Sequence, residues 1–431
     1  MGWNYGEKEC VNVAEELDFG EKRISSERVG FRRERMSEFM EIYLDNSATT
    51  RVYPEVVELM SKIMLEDYGN PSSMHNKGVA AEHYVKEATE RIAKALKCKE
   101  KEIIFTSGGT ESDNLALIGA ALANQRAGKH IITTKIEHPA ILNTCKYLES
   151  IGFEISYLGV DRYGVVNPDE LAKTLRSDTI LVSVMHTNNE VGSRQPIAEI
   201  SKIITAHNPQ TLLHVDAVQG FGKALFYPEK IGIDMLSISG HKIHGPKGIG
   251  ILYVNSRVKI KPISYGGGQQ NGMRNGTLNV PGIAGIGLAV EMITSTLNAD
   301  IERLYELKSY LIGQCSQNER IVVNGCAKDE EGNWKVAETA PHIVNISVPG
   351  IRSEVMLHAL EEYGIYVSAG SACASHSKKE SSTLKSMGAK PEVMDGALRI
   401  SMSTFTTIDD LKVFVDKLNE VIETYGRFVR K

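Results

Sequence analysis

The chain lacks the features that would send it to a membrane, a secretory route or a nucleic acid. No apolar run reaches the roughly 20 residues needed to cross a bilayer, and the opening "MGWNYGEKEC" does not follow the basic-then-apolar order of a signal peptide. Lys and Arg number 49 against 54 Asp and Glu, so no cationic excess favours a polyanionic partner. The six cysteines (Cys10, Cys98, Cys145, Cys315, Cys326, Cys373) form no C-x-x-C pair and show no histidine-rich spacing, which argues against a zinc knuckle, any other metal centre and a disulfide framework. There is no internal repeat and no long low-complexity linker. A cytoplasmic protein acting on a small molecule is expected, with no membrane and no direct nucleic-acid partner.

What is present is enough for a large core: 431 residues, 42% of them hydrophobic, long enough for two or more domains. Residues 1–40 are dense in charge without apolar periodicity and read as a disordered extension, too acidic for a transit peptide. From "IYLDNSATT" onward, β-rich runs ("EIIFTSGG", "HIITTKIEHPA", "EISYLGV", "TILVSVMHTNN", "LLHVDAVQ", "MLSISGHK", "GIGILYV") alternate with amphipathic stretches such as "DNLALIGAALANQRAG" and "IAEISKIITAH". That alternation predicts an α/β fold with a mostly parallel central sheet, whose ligands bind outside the carboxyl ends of the strands. Residues 41–290 are expected to form this large domain, and 291–431, with strands "RIVVNG", "HIVNISV" and "IYVSAG" and a closing helix, a smaller α+β domain.

Polar clusters sit at the strand ends. "FTSGGTESDNLALIG" places Ser107, Gly108, Gly109 and Thr110 between a strand and a helix. Exposed N–H groups there suit a phosphate, although a capped strand-to-helix turn describes the residues as well. The stretch is neither a Walker A motif nor G-x-G-x-x-G. "LLHVDAVQG" ends an apolar strand in Asp216, with Gln219 beyond; such a carboxylate needs a salt bridge, a helix to cap or a protonated ring nitrogen. One strand on, "SISGHKIHGPKGIG" carries Ser239, His241 and Lys242. Lys242 either snorkels to solvent from a sheet edge or, beside a phosphate site and a buried acid, is the imine-forming amine of a pyridoxal phosphate enzyme. His138 in "EHPAI" is equally a helix-capping imidazole, Asn189 in "TNNEVG" a turn residue and Arg399 in "LRIS" a surface partner. Cys373 lies in "VSAGSACASHSKKESSTLKSMG", too small and polar to pack tightly; its thiol is either exposed and reactive or the buried, inert small hydrophobe that a cysteine is by default.

Taken in order, "YLDNSATT", "GNPSSMH", "SGGTESDNLAL", "EHPAI", "TNNEVG", "HVDAVQ", "SGHKIHGPKGIG", "RNGT" and "SAGSACAS" resemble the cysteine desulfurases, within the class V aminotransferase group of fold type I pyridoxal phosphate enzymes; the resemblance runs from about residue 42 to the end. It implies that pyridoxal 5'-phosphate is the cofactor, Lys242 the Schiff-base lysine, Asp216 the partner of the pyridine nitrogen, and Gln219 the partner of the ring oxygen. It implies that His138 stacks on the ring and acts as acid and base, and that Gly109, Thr110, Ser239 and His241 cradle the phosphate with Thr277 of "RNGT" from a second subunit of a homodimer. Asn189 lies beside cofactor and substrate, and Arg399 takes the carboxylate of L-cysteine. Cys373 accepts the substrate sulfur as a persulfide and passes it to a sulfur-acceptor protein for iron–sulfur assembly or tRNA thiolation, leaving L-alanine. The alternative on the same scaffold is a selenocysteine lyase or a cysteine sulfinate desulfinase. The sequence departs from many relatives after "LRIS", where it continues "MSTFTT".

Overall fold

Short runs of Val, Ile and Leu punctuated by Gly, Pro and Asn become strands, and in the computed structural model, which describes residues 41–369 and 381–426, they fall into three sheets. In chain order they are β1 (Ile42–Tyr43), β2 (Ile103–Thr106), β3 (His130–Thr134), β4 (Glu154–Leu158), β5 (Thr179–Met185), β6 (Leu212–Asp216), β7 (Met235–Ser239) and β8 (Gly250–Val254). The remainder are β9 (Val322–Asn324), β10 (Ile343–Ser347), β11 (Ile365–Tyr366), β12 (Ser368–Ala369) and β13 (Ala397–Ser401). The extension over 1–40 and the cysteine at 373 lie outside the described residues.

The central sheet has the order β2-β8-β7-β6-β5-β3-β4. β4, β3, β5, β6, β7 and β2 point the same way, and β8 alone runs opposite, pairing antiparallel with both β7 and β2. Every residue of β5 is buried, as is every residue of β7 and β8, the continuous apolar reading that a sheet covered on both faces requires. Helices cover it on both sides: Gly109–Asn124 and Pro139–Ser150 contribute Leu115, Leu117, Ile141 and Leu148 to one apolar cluster, while Asn76–Leu96, Ile197–His207 and Val280–Ser295 contribute Ile92, Leu96, Ile200, Ile204 and Ile286 to another. β4 lies to one side of β3 and β5 to the other, so the side on which successive parallel strands are added reverses there. That switch point opens a crevice at the carboxyl ends.

The second sheet, β12-β13-β10-β9, is antiparallel and packs beneath the helices Leu297–Cys315, Ser353–Glu361 and Ile408–Gly426 around Leu311, Met356, Ile346, Phe414 and Leu418. The run "IYVSAG" does not make one strand. Ile365–Tyr366 pairs parallel with β1, whereas Ser368–Ala369 pairs antiparallel with β13, so Val367 turns the chain from one sheet to the next. The first strand of the described chain is thereby tied to the last third of the sequence. Among the described residues no single helix is long and apolar enough to cross a membrane.

Candidate active site

The parallel strands β3, β5, β6 and β7 deliver their following residues to one cavity of about 260 Å³. His138 follows β3, Asn189 follows β5, Asp216 and Gln219 close β6, and Ser239, His241 and Lys242 close β7. Gly109 and Thr110 enter from the start of the helix Gly109–Asn124, Arg399 from β13, and Ser47 and Ala48 from the "YLDNSATT" turn. Of the described residues singled out from the sequence, Ser107, Gly108 and Thr277 are not among this lining. Thr277 lines a separate groove with Met64, Tyr68 and Leu278.

Lys242 ends a single 3-10 turn, Gly240–Lys242, and its Nζ donates to the carbonyls of Ser47 and, at 2.8 Å, Ala48. Two backbone carbonyls thus accept from the amine. Asp216 is 5% exposed, and its Oδ1 accepts the Val218 N–H at 2.9 Å. Burial pushes the carboxyl up, against the opposing pull of that N–H and of the His138 and Lys242 charges. A carboxylate so placed is stabilised by a cation brought to it.

His138 both caps a helix and lines the cavity. Its Nδ1 accepts the Ala140 N–H at 3.1 Å and caps the helix Pro139–Ser150, while its ring lines the cavity. Burial, reinforced by Lys242, pushes its pKa down against the pull of Asp216, so the neutral ring carries its proton on Nε2. Gln219 is fixed at both ends of its amide: Nε2 donates to Ser47 O at 2.9 Å, and His342 Nε2 lies 3.4 Å from Oε1. His241 has Nδ1 3.3 Å from Thr49 Oγ1, and burial beside Lys242 and Lys247 pushes it down to about 4, so it serves as a neutral donor or acceptor.

Arg399 is 4% exposed. Nη2 pairs with Asp45 Oδ1 at 2.7 Å, Nη1 donates to Asn189 O at 3.0 Å, and the buried Nε has no partner among the described residues. This is a guanidinium fixed on two sides with donor capacity to spare, suited to a carboxylate.

Sequence reasoning missed the groups beneath the floor. Asp113, in the second turn of its helix, lines the cavity with Oδ1 3.7 Å from His214 Nε2. His214 sits between Ser183 Oγ (2.9 Å) and Ser237 Oγ (3.0 Å) on neighbouring strands, and burial pushes it down to about 3. Glu137 accepts from Met185 N at 2.9 Å and Thr134 Oγ1 at 2.7 Å, and burial pushes it up to about 8. Asp113 is pushed up likewise, by burial and then by Asp216. Burial therefore disfavours charge on Asp113 and Glu137, and the charge on Asp216 disfavours it further. The signal in the sequence was the polar residue inside each apolar run: His214 in "LLHVD", Ser183 in "TILVSVM" and Ser237 in "MLSIS".

The residues fit pyridoxal phosphate group by group. An amine stands ready for the aldehyde and a buried acid for the ring nitrogen. The first N–H groups of a 16-residue helix face the cavity for the phosphate. Gly109 is required there: a Cβ at this position would lie 2.7 Å from Val218 Cγ2, against the cavity wall. Amine, acid and anion cradle at the strand ends of a doubly covered parallel sheet define a pyridoxal phosphate-dependent enzyme of fold type I. The aminotransferase class V model matches residues 42–414, and the chain belongs to that family. It is 44% identical over 383 residues to a protein named cysteine desulfurase IscS from Dictyoglomus turgidum, covering 89% of this chain and 95% of that one. A protein of the same name from Methanosarcina thermophila is also 44% identical, over 89% and 92% of the two chains. Among solved structures, a NifS-like protein superposes with a TM-score of 0.83 at 39% identity, covering 89% of this chain and all (100%) of that one. A structure described as SspA in complex with cysteine superposes with a TM-score of 0.74 at 32% identity, over 85% and 100% of the two chains.

Proposed function

We propose that this chain is a cysteine desulfurase that converts L-cysteine to L-alanine and carries the sulfur on Cys373 as a persulfide. The observation that carries the reading is the meeting of Lys242, Asp216 and Arg399 in one cavity of a chain that matches a cysteine desulfurase over 95% of that protein's length. When bound, pyridoxal phosphate supplies the electron sink for charge released at the substrate α-carbon. Arg399 receives the substrate carboxylate and so fixes which face the substrate turns to Lys242. Lys242 Nζ takes the α-proton, and His138 holds an exchangeable proton on Nε2 within the same cavity. Asp216 supplies the negative charge that keeps the ring nitrogen protonated. Thr110, Ser239 and His241 hold the phosphate, and Asn189 lies beside the substrate. The Cys373 thiolate attacks the substrate sulfur: an S–S bond forms, the Cβ–S bond breaks, and the electron pair stays with Cβ, which takes a proton to give alanine.

The functional unit in this reading is a homodimer with Thr277 completing the partner's phosphate site. The groove that holds Thr277 is lined by the exposed apolar side chains Met64 at 54% and Tyr68 at 71%, a surface whose burial favours a second copy. The acceptor is a sulfur-receiving protein of iron–sulfur assembly or tRNA thiolation. A selenocysteine lyase or sulfinate desulfinase needs Cys373 less or not at all, so one variant separates the readings. Cys373→Ala is expected to abolish sulfide release from L-cysteine with cofactor absorbance intact; undiminished sulfide release would exclude the mechanism.

A further inference from the structure

The turn after β5 touches both ends of the proposed chemistry. The Asn189 carbonyl holds Arg399 Nη1 at 3.0 Å, and the next residue, Glu190, accepts the hydroxyl protons of Ser381 at Oε2 (2.5 Å) and of Thr383 at Oε1 (3.1 Å). Asn188 Nδ2 donates to the same Thr383 Oγ1 at 3.3 Å, and its Oδ1 accepts the N–H groups of Glu190 and Val191 at 2.9 Å each. The Glu190 carbonyl accepts Asn345 Nδ2 on β10 at 3.1 Å, so the turn is braced from the second sheet as well. Ser381 in turn caps the helix Ser382–Ser386 through the Leu384 N–H at 3.0 Å, and buried Leu384 packs with Val191 and Ala397. One carboxylate therefore registers residues 381–383 against the guanidinium that faces the cavity.

The sequence gives this register a use. Cys373 lies eight positions before Ser381, and eight residues span at most about 28 Å at full extension. With Ala369, which β12 pairs to β13 four positions before Cys373, the place where Ser381 is fixed sets the two ends between which the Cys373 segment must run. Neither Ser381 nor Thr383 is charged, so the carboxylate is not there to form an ion pair with them; it accepts two hydroxyl bonds at once, which no apolar residue does.

We propose that Glu190 is a positioning residue for sulfur transfer, fixing the chain at Ser381 and Thr383 in register with Arg399. The proposal rests on the cysteine desulfurase reading. The test compares two rates in the cofactor-loaded full chain: exchange of the L-cysteine α-proton with deuterated solvent, which uses Lys242 but not Cys373, and single-turnover formation of the Cys373 persulfide, read by mass spectrometry. In Glu190→Ala the exchange rate is expected to stay within about threefold of wild type while persulfide formation falls about tenfold to 100-fold, the scale of a misplaced reacting group. Glu190→Gln, which keeps one acceptor oxygen, is expected to recover most of the loss. Ser381→Ala removes the shortest of these bonds from the other side and is expected to show the same split, which keeps the test available if Glu190→Ala does not fold. Parallel loss of both rates, or loss of neither, would overturn the proposal. Wild-type protein that exchanges the proton but forms no persulfide would instead overturn the desulfurase reading itself.

Discussion

Lys308 is the sharpest point at which pH should act on this fold. It sits on the helix Leu297–Cys315, 1% exposed, with Nζ donating to Thr339 Oγ1 at 2.6 Å and Ala340 O at 2.7 Å. Ala340 N in turn donates to Gly192 O at 2.8 Å, so this amine supports the strand-like segment that backs the Asn188–Val191 turn. Both acceptors are neutral, and burial pushes the amine from 10.5 down to about 7, with Cys326 a smaller opposing influence. Because the folded pKa of this base lies below its unfolded value, folding is penalised while the amine is charged, and the penalty is relieved as pH rises from about 7 towards 10.5. The full penalty is about 5 kcal/mol well below pH 7, falling to about 4 kcal/mol at pH 7 and about 2 kcal/mol at pH 9. Lys308→Met removes the titration and leaves Ala340 O short of a donor, a cost of about 1–3 kcal/mol that does not change with pH. Chemical denaturation of cofactor-loaded wild type and Lys308→Met at pH 7 and pH 9 should therefore show wild type gaining about 2 kcal/mol on the variant over that interval. A stability difference that stays constant with pH would refute the reasoning.

Two further substitutions separate structural from chemical roles in the site. His138→Asn keeps a side-chain acceptor for the Ala140 N–H and should cost little stability, whereas His138→Ala should lose about 1 kcal/mol of helix capping; both should lower turnover about 10²-fold or more, the scale of a missing acid–base group. If Asn restored turnover as well as stability, capping would be the only role of His138. Gly109→Ala places a Cβ 2.7 Å from Val218 Cγ2 and should weaken pyridoxal phosphate binding about tenfold or more in a titration of apoenzyme. Gly313→Ala, where the added carbon meets nothing within 4 Å, is the matched control and should leave cofactor affinity unchanged.

Local chemistry was legible in the sequence and long-range pairing was not. The runs "TILVSVM", "LLHVD" and "MLSIS" announce buried parallel strands because each is apolar on both faces, and Asp216 and Lys242 stand out because a charged group at the end of such a run needs a reason. No local pattern says that Ile42–Tyr43 pairs with Ile365–Tyr366, or that Asp45 meets Arg399 across 354 positions. The same limit hid Glu190, which reads as a turn residue in "NNE" until Ser381 and Thr383 arrive 191 and 193 positions later. His214 was visible as a polar residue in a strand. Its role depends on Ser183 and Ser237 lying on the two flanking strands, a matter of sheet order that composition does not carry. The departure at "MSTFTT" also resolves into packing: Phe405 meets the edge of His244 and the ring of Tyr53, and Arg303 holds the carbonyls of Thr404 and Thr406 at 2.8 and 2.6 Å.

The most direct test of the central claim is an absorbance spectrum of the purified protein before and after L-cysteine, with alanine and sulfane sulfur quantified in the same sample. The account requires a band in the range of protonated pyridoxal imines, near 420 nm as a rough guide, that responds to L-cysteine, together with alanine and sulfur in equal amounts and the sulfur on Cys373 until a reductant releases it. A protein that shows the band but yields no alanine from L-cysteine would contradict the proposed reaction. One that cannot be reconstituted with pyridoxal phosphate at all would contradict the assignment of Lys242 and Asp216.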